Sequence, residues 1–376
     1  MKRTITAESV TAGHPDKFCD IVSDTVLDEC LKQDKGARVA CEVYATKGLI
    51  VVGGEITTTA TVDYKAIVLR VADKVGYDLK GTELIVAVHE QSPDISGAVN
   101  GVNDHGQQGA GDQGIMVGYA CDDTVNFMPF CYEYARRLTD ALTRARLDGT
   151  IKGIKSDGKA QVSAEFEGRR LVAVTKIVVS IQHDEDKDEQ ELHGEIVALI
   201  RKTFDGIDKQ FTQYADILVN PSGRFAVGGI DADTGLTGRK LCVDAYGAGV
   251  RVGGGAYSGK DPSKVDRSAA YMARHIAKTV VASGWADECE VELAYAIGKA
   301  DPMGVNIDTK GTGKICDTEI KNAVQKHFCL RPQGIIHYLE LKQPIYENTA
   351  SGGHYGRDEF PWEKVDTAEF LQDAEG

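Results

Sequence analysis

The chain reads as an α+β protein built from three copies of one β-α-β-β-α-β unit. Two observations predict this. Hydrophobic spacing alternates between strand-like and helix-like in the same order three times over, and long glycine-rich connections separate the three runs. At 376 residues each unit has room for its own core.

In the first copy a helix is expected from Pro15-Asp16, with Phe18, Ile21, Val22, Val26 and Cys30 on its apolar face. A hairpin follows over residues 38–45 and 49–58, turning at Thr46-Lys47-Gly48, then a helix over 62–75 and a strand over 83–89. The second copy repeats the order: helix 129–147, hairpin strands 161–166 and 170–181 around Glu167-Gly168, helix 189–203 and strand 216–220. In the third, Asp261 as N-cap and Pro262 as first helical residue open a helix carrying Val265, Ala269, Met272, Ile276 and Val280, ended by Gly284. Hairpin strands 289–298 and 304–309, a helix over 317–328 and a strand over 335–341 complete it. Leading strands are expected at 4–9, 115–120 and 240–245. Structureless connections longer than about 12–15 residues tend to carry function, so the chemistry is expected in residues 91–114 and 221–239.

Composition excludes some classes of partner. A net charge of −14 disfavours binding to a nucleic-acid backbone and makes basic residues beside glycine loops stand out. No apolar run approaches the ~20 residues of a membrane span, and the N-terminal MKRTITAESV lacks a signal-peptide core. The nine cysteines are odd in number and include no C-x-x-C pair, so free thiols in a reducing cytoplasm are expected.

Residues 253–264, GGGAYSGKDPSK, contain the glycine-spaced half of a phosphate loop, but Asp261-Pro262 stands where a Walker loop has Ser or Thr. Glycines let backbone N–H groups approach a polyphosphate, and Lys260 and Lys264 add charge. Gly109-Ala110-Gly111-Asp112-Gln113-Gly114 holds one carboxylate in a tight backbone before a strand. Basic, glycine-flanked clusters recur at Asp157-Gly158-Lys159, at Gly223-Arg224-Phe225 and at residues 233–240, which include Asp233, Arg239 and Lys240. His14 and Asp16 sit at a helix start, Glu42 and Glu55 on neighbouring hairpin strands, and Asp266 early in the third long helix. No Ser-His-Asp, Cys-His or zinc-ligand spacing stands out. These residues suit binding of a polyphosphate, a metal and a cation without a protein nucleophile.

GHPDK (13–17), GGEITT (53–58), QSPDI (91–95), GAGDQG (109–114), GLTGRK (235–240), GGGAYSGKDPSKVDRSAAY (253–271) and GHYGRDEFPWEK (353–364) together resemble the S-adenosylmethionine synthase (methionine adenosyltransferase) family, in family order and across nearly the whole chain. The resemblance implies three intertwined βαββαβ repeats in a pseudo-threefold arrangement, with strands exchanged between repeats. These are an N-terminal repeat (1–96), a lid loop (97–108), a central repeat (109–225) and a C-terminal repeat (226–376). It implies synthesis of S-adenosylmethionine from ATP and L-methionine, with hydrolysis of the released triphosphate. By the same resemblance His14, Lys159, Arg239, Lys260 and Asp112 are catalytic. His14, Asp157, Gly158, Lys159, Arg224, Phe225, Asp233, Arg239, Lys240, Ala256 and Lys260 match the ATP site. Glu55, Gln91, Asp233 and Lys264 match the methionine site. Asp16 and Asp266 match ligands of two Mg²⁺ ions, and Glu42 the ligand of K⁺. Self-association, with sites between subunits, is also implied. Ala12, where an acidic residue is common, and residues 97–107 depart from the family pattern. The residues alone leave open another ATP-dependent phosphotransferase or ATPase, or a non-catalytic nucleotide-binding subunit.

Overall fold

The computed structural model describes residues 2–91 and 109–375. Three sheets, each carrying one long buried helix, make up the molecule. The first joins β2 (Arg38–Thr46) and β3 (Leu49–Thr57) as an antiparallel hairpin, adds β4 (Glu83–His89) parallel to β3, and covers α1 (Pro15–Gln33). The second is built likewise from β6 (Ile154–Glu167), β7 (Arg170–His183) and a parallel β8 (Asp216–Val219), packed on α3 (Phe130–Leu147). In the third, β10 (Glu288–Tyr295) and β11 (Gly304–Asp308) form the hairpin against α5 (Val265–Ala282). Helices α2 (Tyr64–Val75) and α4 (Glu189–Thr203) lie beside α1 and α3.

The leading strands do not stay with their own helices. β1 (Lys2–Val10) pairs antiparallel with β6 of the second sheet, and β5 (Gly114–Cys121) with β10 of the third. The short β9 (Gly235–Leu236) pairs with β2 of the first. Each sheet is therefore closed by a segment from another part of the chain, so no unit finishes its hydrogen-bond ladder alone.

Three expectations are corrected. Residues 240–245 do not form a strand: Leu241–Asp244 is one helical turn, and β9 occupies the edge expected of it. Residues 335–341 are not a strand either. Pro332–Tyr338 is helix α7, which follows α6 (Asp317–His327). Pro332 fits a first helical turn, and Ile335, Ile336 and Leu339 fall at helical spacing and are buried. Last, α5 begins at Val265, after Lys264, and not at Pro262. The Asp261 carboxylate is taken by the Val39 N–H (2.7 Å) and the Ser263 N–H (2.9 Å), so it anchors a turn to β2 instead of capping the helix.

The core holds many polar groups, and its buried arginines are paired with carboxylates. Arg274 of α5, fully buried, donates to both oxygens of Glu363 (3.0 and 2.9 Å) and to the Tyr119, Phe127 and Asn126 carbonyls. Trp362 stacks on Tyr271 at 3.7 Å between ring centres. The C-terminal tail is thereby locked over α5. All nine cysteines are free, six of them buried.

Candidate active site

The edge of β2 opposite β3 organises the site. Two segments distant in sequence line it end to end. Thr237 N–H donates to the Val43 carbonyl (3.0 Å), and Val43 N–H donates to the Thr237 hydroxyl (3.0 Å). Farther along, Cys41 N–H donates to Gly259 O (2.9 Å) and Asp261 N–H to Val39 O (3.0 Å). The two glycine-basic loops of the third unit thus lie side by side on one strand, and Arg239, Lys240 and Lys260 extend from them. Gly259 has a φ of +79°, and a Cβ there would stand 1.9 Å from the Cys41 carbonyl. Only glycine allows that approach.

The N-terminus of α1 meets the first of these loops. Its aspartate, Asp16, accepts from the Leu236 N–H (3.0 Å) and Lys240 Nζ (2.6 Å), with Arg239 Nε at 3.5 Å. Burial opposes its charge, but the Lys240 and Leu236 hydrogen bonds outweigh this and hold the carboxyl below its ordinary range. His14 is the N-cap, and its Nδ1 accepts the Asp16 N–H (3.2 Å). Burial first, then the Lys240 charge, lower its pKa to about 4. The ring is therefore neutral near pH 7 with its single proton on Nε2, which makes that atom a hydrogen-bond donor.

The second sheet supplies a third wall. Thr11 N–H donates to Gly158 O (3.0 Å) and the Thr11 hydroxyl to Ser156 O (2.5 Å), seating Asp157, Gly158 and Lys159 against the turn before α1. Asp157 accepts the Gly229 N–H (2.8 Å), drawing in the segment with Arg224 and Phe225, and burial raises its pKa. Beside that segment a cleft of about 550 Å³, lined by Lys155, Gln182, Arg224, Gly228 and Asp231, is of ligand size. It includes none of the groups around Asp16. Lys159 faces Glu8 at 3.5 Å and Arg224 pairs with Glu185. Asp233 is exposed and turns its own loop by accepting the Thr234 N–H (2.9 Å).

On the other loop Lys260 Nζ contacts Asp266 (2.6 Å), whose second oxygen accepts the Gly255 N–H (2.9 Å). Lys264 Nζ contacts Asp261 (2.5 Å). Ala256 abuts Gly238 of the first loop, and Gly111 lies against the Ser263 carbonyl, so Asp112 is carried to the rim. Asp112 itself is exposed and accepts its neighbour's Gln113 N–H (2.7 Å).

Not every expected residue joins this cluster. Glu42 and Glu55 project from the exposed face of the first sheet. Glu55 contacts His89 at 3.2 Å and the Gln91 N–H donates to the Thr57 hydroxyl (3.1 Å); neither touches the groups around Asp16. Tyr44, Val51 and Ile85 share this face, the first and last about 40% exposed. The expected lid, 97–108, lies outside the described residues.

Sequence reading missed the groups beneath the loops. Asp24 of α1 accepts the Gly259 N–H (2.8 Å) and is held by Arg267 through two bonds of 2.7 and 2.8 Å. Asp20 accepts the Gly238 N–H (2.8 Å). The available signal was aspartate at every fourth position from Asp16.

Two glycine-basic walls, bearing Lys240 and Lys159, flank a neutral imidazole, and the carboxylates of Asp16 and Asp266 are already paired with lysines. Fold and site together define a three-unit α+β protein whose cationic side chains gather on glycine loops. Family models agree on which one. Those for the S-adenosylmethionine synthetase N-terminal, central and C-terminal domains match residues 2–93, 107–225 and 227–364. The chain belongs to the S-adenosylmethionine synthetase family.

Proposed function

We propose that the protein is a methionine adenosyltransferase: the thioether sulfur of L-methionine attacks C5′ of ATP, and the displaced triphosphate is then hydrolysed to phosphate and diphosphate. The observation that carries this is the state of His14. An imidazole whose Nδ1 is occupied by the Asp16 N–H presents Nε2–H, and burial first, then the Lys240 and Lys159 charges, keep it neutral. Such a donor can follow the charge that grows on the departing oxygen. A thioether has no proton to lose, so the reaction needs no general base, only alignment and charge stabilisation.

In this reading Lys159, Arg239, Lys240 and Lys260 bind the triphosphate, and Asp157, Gly158, Arg224, Phe225 and Ala256 hold the rest of ATP. Glu55, Gln91 and Lys264 serve methionine, Asp233 serves both substrates, and Asp112 lies near the substrate amino group or the sulfonium. Asp16 and Asp266 would hold two Mg²⁺ ions, and Glu42 K⁺. Among the described residues no cluster of three or more His, Cys, Asp or Glu is preformed for a metal, and each aspartate already has a lysine at 2.6 Å. Mg²⁺ usually takes one or two carboxylates and completes its shell with phosphate and water, so these donors fit a metal that arrives with triphosphate. When bound, the ions would neutralise charge on the phosphates. The separation of Glu55 and Gln91 from the cluster supports sites completed by a second copy of the chain across the exposed sheet face. Unpaired cysteines suit a cytoplasmic location.

The test is incubation with ATP, Mg²⁺ and K⁺, with and without methionine, quantifying sulfonium product and phosphate. Methionine-dependent sulfonium formation, matched by phosphate, is expected. Equal ATP consumption without methionine, and no sulfonium, would falsify the proposal.

A further inference from the structure

Asp16, Asp20, Asp24 and Asp28 recur every fourth residue along α1 and lie on one face of it. All four are buried, and together they receive backbone N–H groups from three segments distant in sequence, Asp16 and Asp20 sharing one of them. Asp16 takes Leu236 (3.0 Å), Asp20 takes Gly238 (2.8 Å) and Asp24 takes Gly259 (2.8 Å), while Asp28 takes Tyr346 (3.0 Å) and Glu347 (2.8 Å). Like charges at this spacing repel, and a buried carboxylate is costly unless satisfied. Packing alone does not account for four in a row. What they share is that each fixes the height of a loop along the helix.

We propose that Asp20 is a positioning residue for the reaction, holding Gly238 so that Arg239 and Lys240 stand at a fixed distance from His14 on the same helix. Gly238 has little slack. Its φ is +81°, and a Cβ there would lie 2.5 Å from that of Ala256 on the neighbouring loop. A shift of Gly238 therefore passes to the two cations that follow it and to the loop bearing Lys260. Asp20 is itself fixed by Lys17 (2.9 Å), which also pairs with Asp244. Lys17 therefore keeps a carboxylate when Asp20 is changed, which lets the hydrogen bond to Gly238 be tested apart from the charge.

The inference rests on reading this site as the triphosphate site, so its test includes binding as well as turnover. Asp20→Asn keeps an oxygen for the Gly238 N–H. Asp20→Leu keeps the volume and loses the acceptor, and Asp20→Ala is a second variant without one should the leucine form not fold. Calorimetry with inorganic tripolyphosphate and Mg²⁺ gives affinity, and sulfonium formation gives kcat. The variants without an acceptor should lose on the order of 10² in kcat, the scale expected for a misplacement of about 1 Å, and bind tripolyphosphate about tenfold more weakly. Asp20→Asn should stay within about fivefold of the parent in both, since it keeps the bond. If Asn and Leu (or Ala) behave alike, in either direction, Asp20 acts through its charge or through stability and the positioning role is overturned. If the parent makes no sulfonium, the functional reading fails, and the affinity comparison still decides whether Asp20 positions the loop.

Discussion

The cluster around Asp16 and the exposed face of the first sheet carry the two halves of the expected site and are built in opposite ways. In the cluster the charges have partners before any ligand arrives: Asp16 with Lys240, Asp266 with Lys260, and, beneath the loops, Asp20 and Asp24 with the Gly238 and Gly259 N–H groups. On the sheet face Glu42 and Glu55 are exposed, and Glu55 contacts His89. Preorganised, partly buried charge stabilises a transition state because it need not reorient during reaction. Exposed charge contributes little until something covers it. On the proposed function, bond breaking belongs to the first region and recognition to the second.

The largest effect should come from His14. His14→Asn is expected to slow sulfonium formation by ~10²–10⁴, the scale of a positioned polar group, while hydrolysis of added triphosphate falls much less. The two activities measured on one variant check this, and parallel losses would mean that His14 organises the whole phosphate site. Next, Lys260→Ala should lower kcat by ~10²–10³ with a smaller change in ATP affinity, because its charge matters most as triphosphate leaves. A raised KM at unchanged kcat would move Lys260 to the recognition side of the comparison. Glu55→Ala should do the reverse: KM for methionine about tenfold higher, kcat for bond breaking nearly unchanged, and stability within about 0.5 kcal/mol because the side chain is exposed.

The smallest effect concerns pH. In protein free of ligand and metal, NMR of the His14 ring should give a midpoint of about 4. The unfolded chain takes up this proton near the ordinary histidine value of about 6.5, so between these values the unfolded state binds more protons. This group's contribution to stability is intact above that window and is lost as pH falls through it, and His14→Asn should flatten the decline. A midpoint at or above the ordinary value would mean that His14 is not held neutral by burial and Lys240.

Much of the fold is legible in the sequence because it is local. Glu83–His89 and Glu189–Thr203 coincide with their periodic patterns, since neighbouring residues decide them. Residues 240–245 read as a strand, yet Leu241–Asp244 is helical, with Asp244 held by Lys17 from more than two hundred positions away. Asp261 looks like a helix cap, but its carboxylate serves Val39 on β2. The site divides the same way. Glycine loops with lysines and arginines announce themselves, whereas Asp20 and Asp24 look like solvated helix residues until the loops they hold are folded onto them. Strand exchange between the sheets is likewise a matter of distant pairing, and only the family resemblance pointed to it.

The division of labour is tested most directly by mixing His14→Asn with Glu55→Ala under conditions of proven subunit exchange. If each site takes its cluster from one copy and its sheet face from another, a mixed dimer contains one site with neither substitution. With methionine well below KM, where Glu55→Ala alone is about tenfold impaired, random exchange should then give about a quarter of the unsubstituted protein's sulfonium-forming activity, as the statistics of a twofold assembly require. Activity no greater than the mean of the two separate variants, with exchange demonstrated, would contradict a site assembled from two halves.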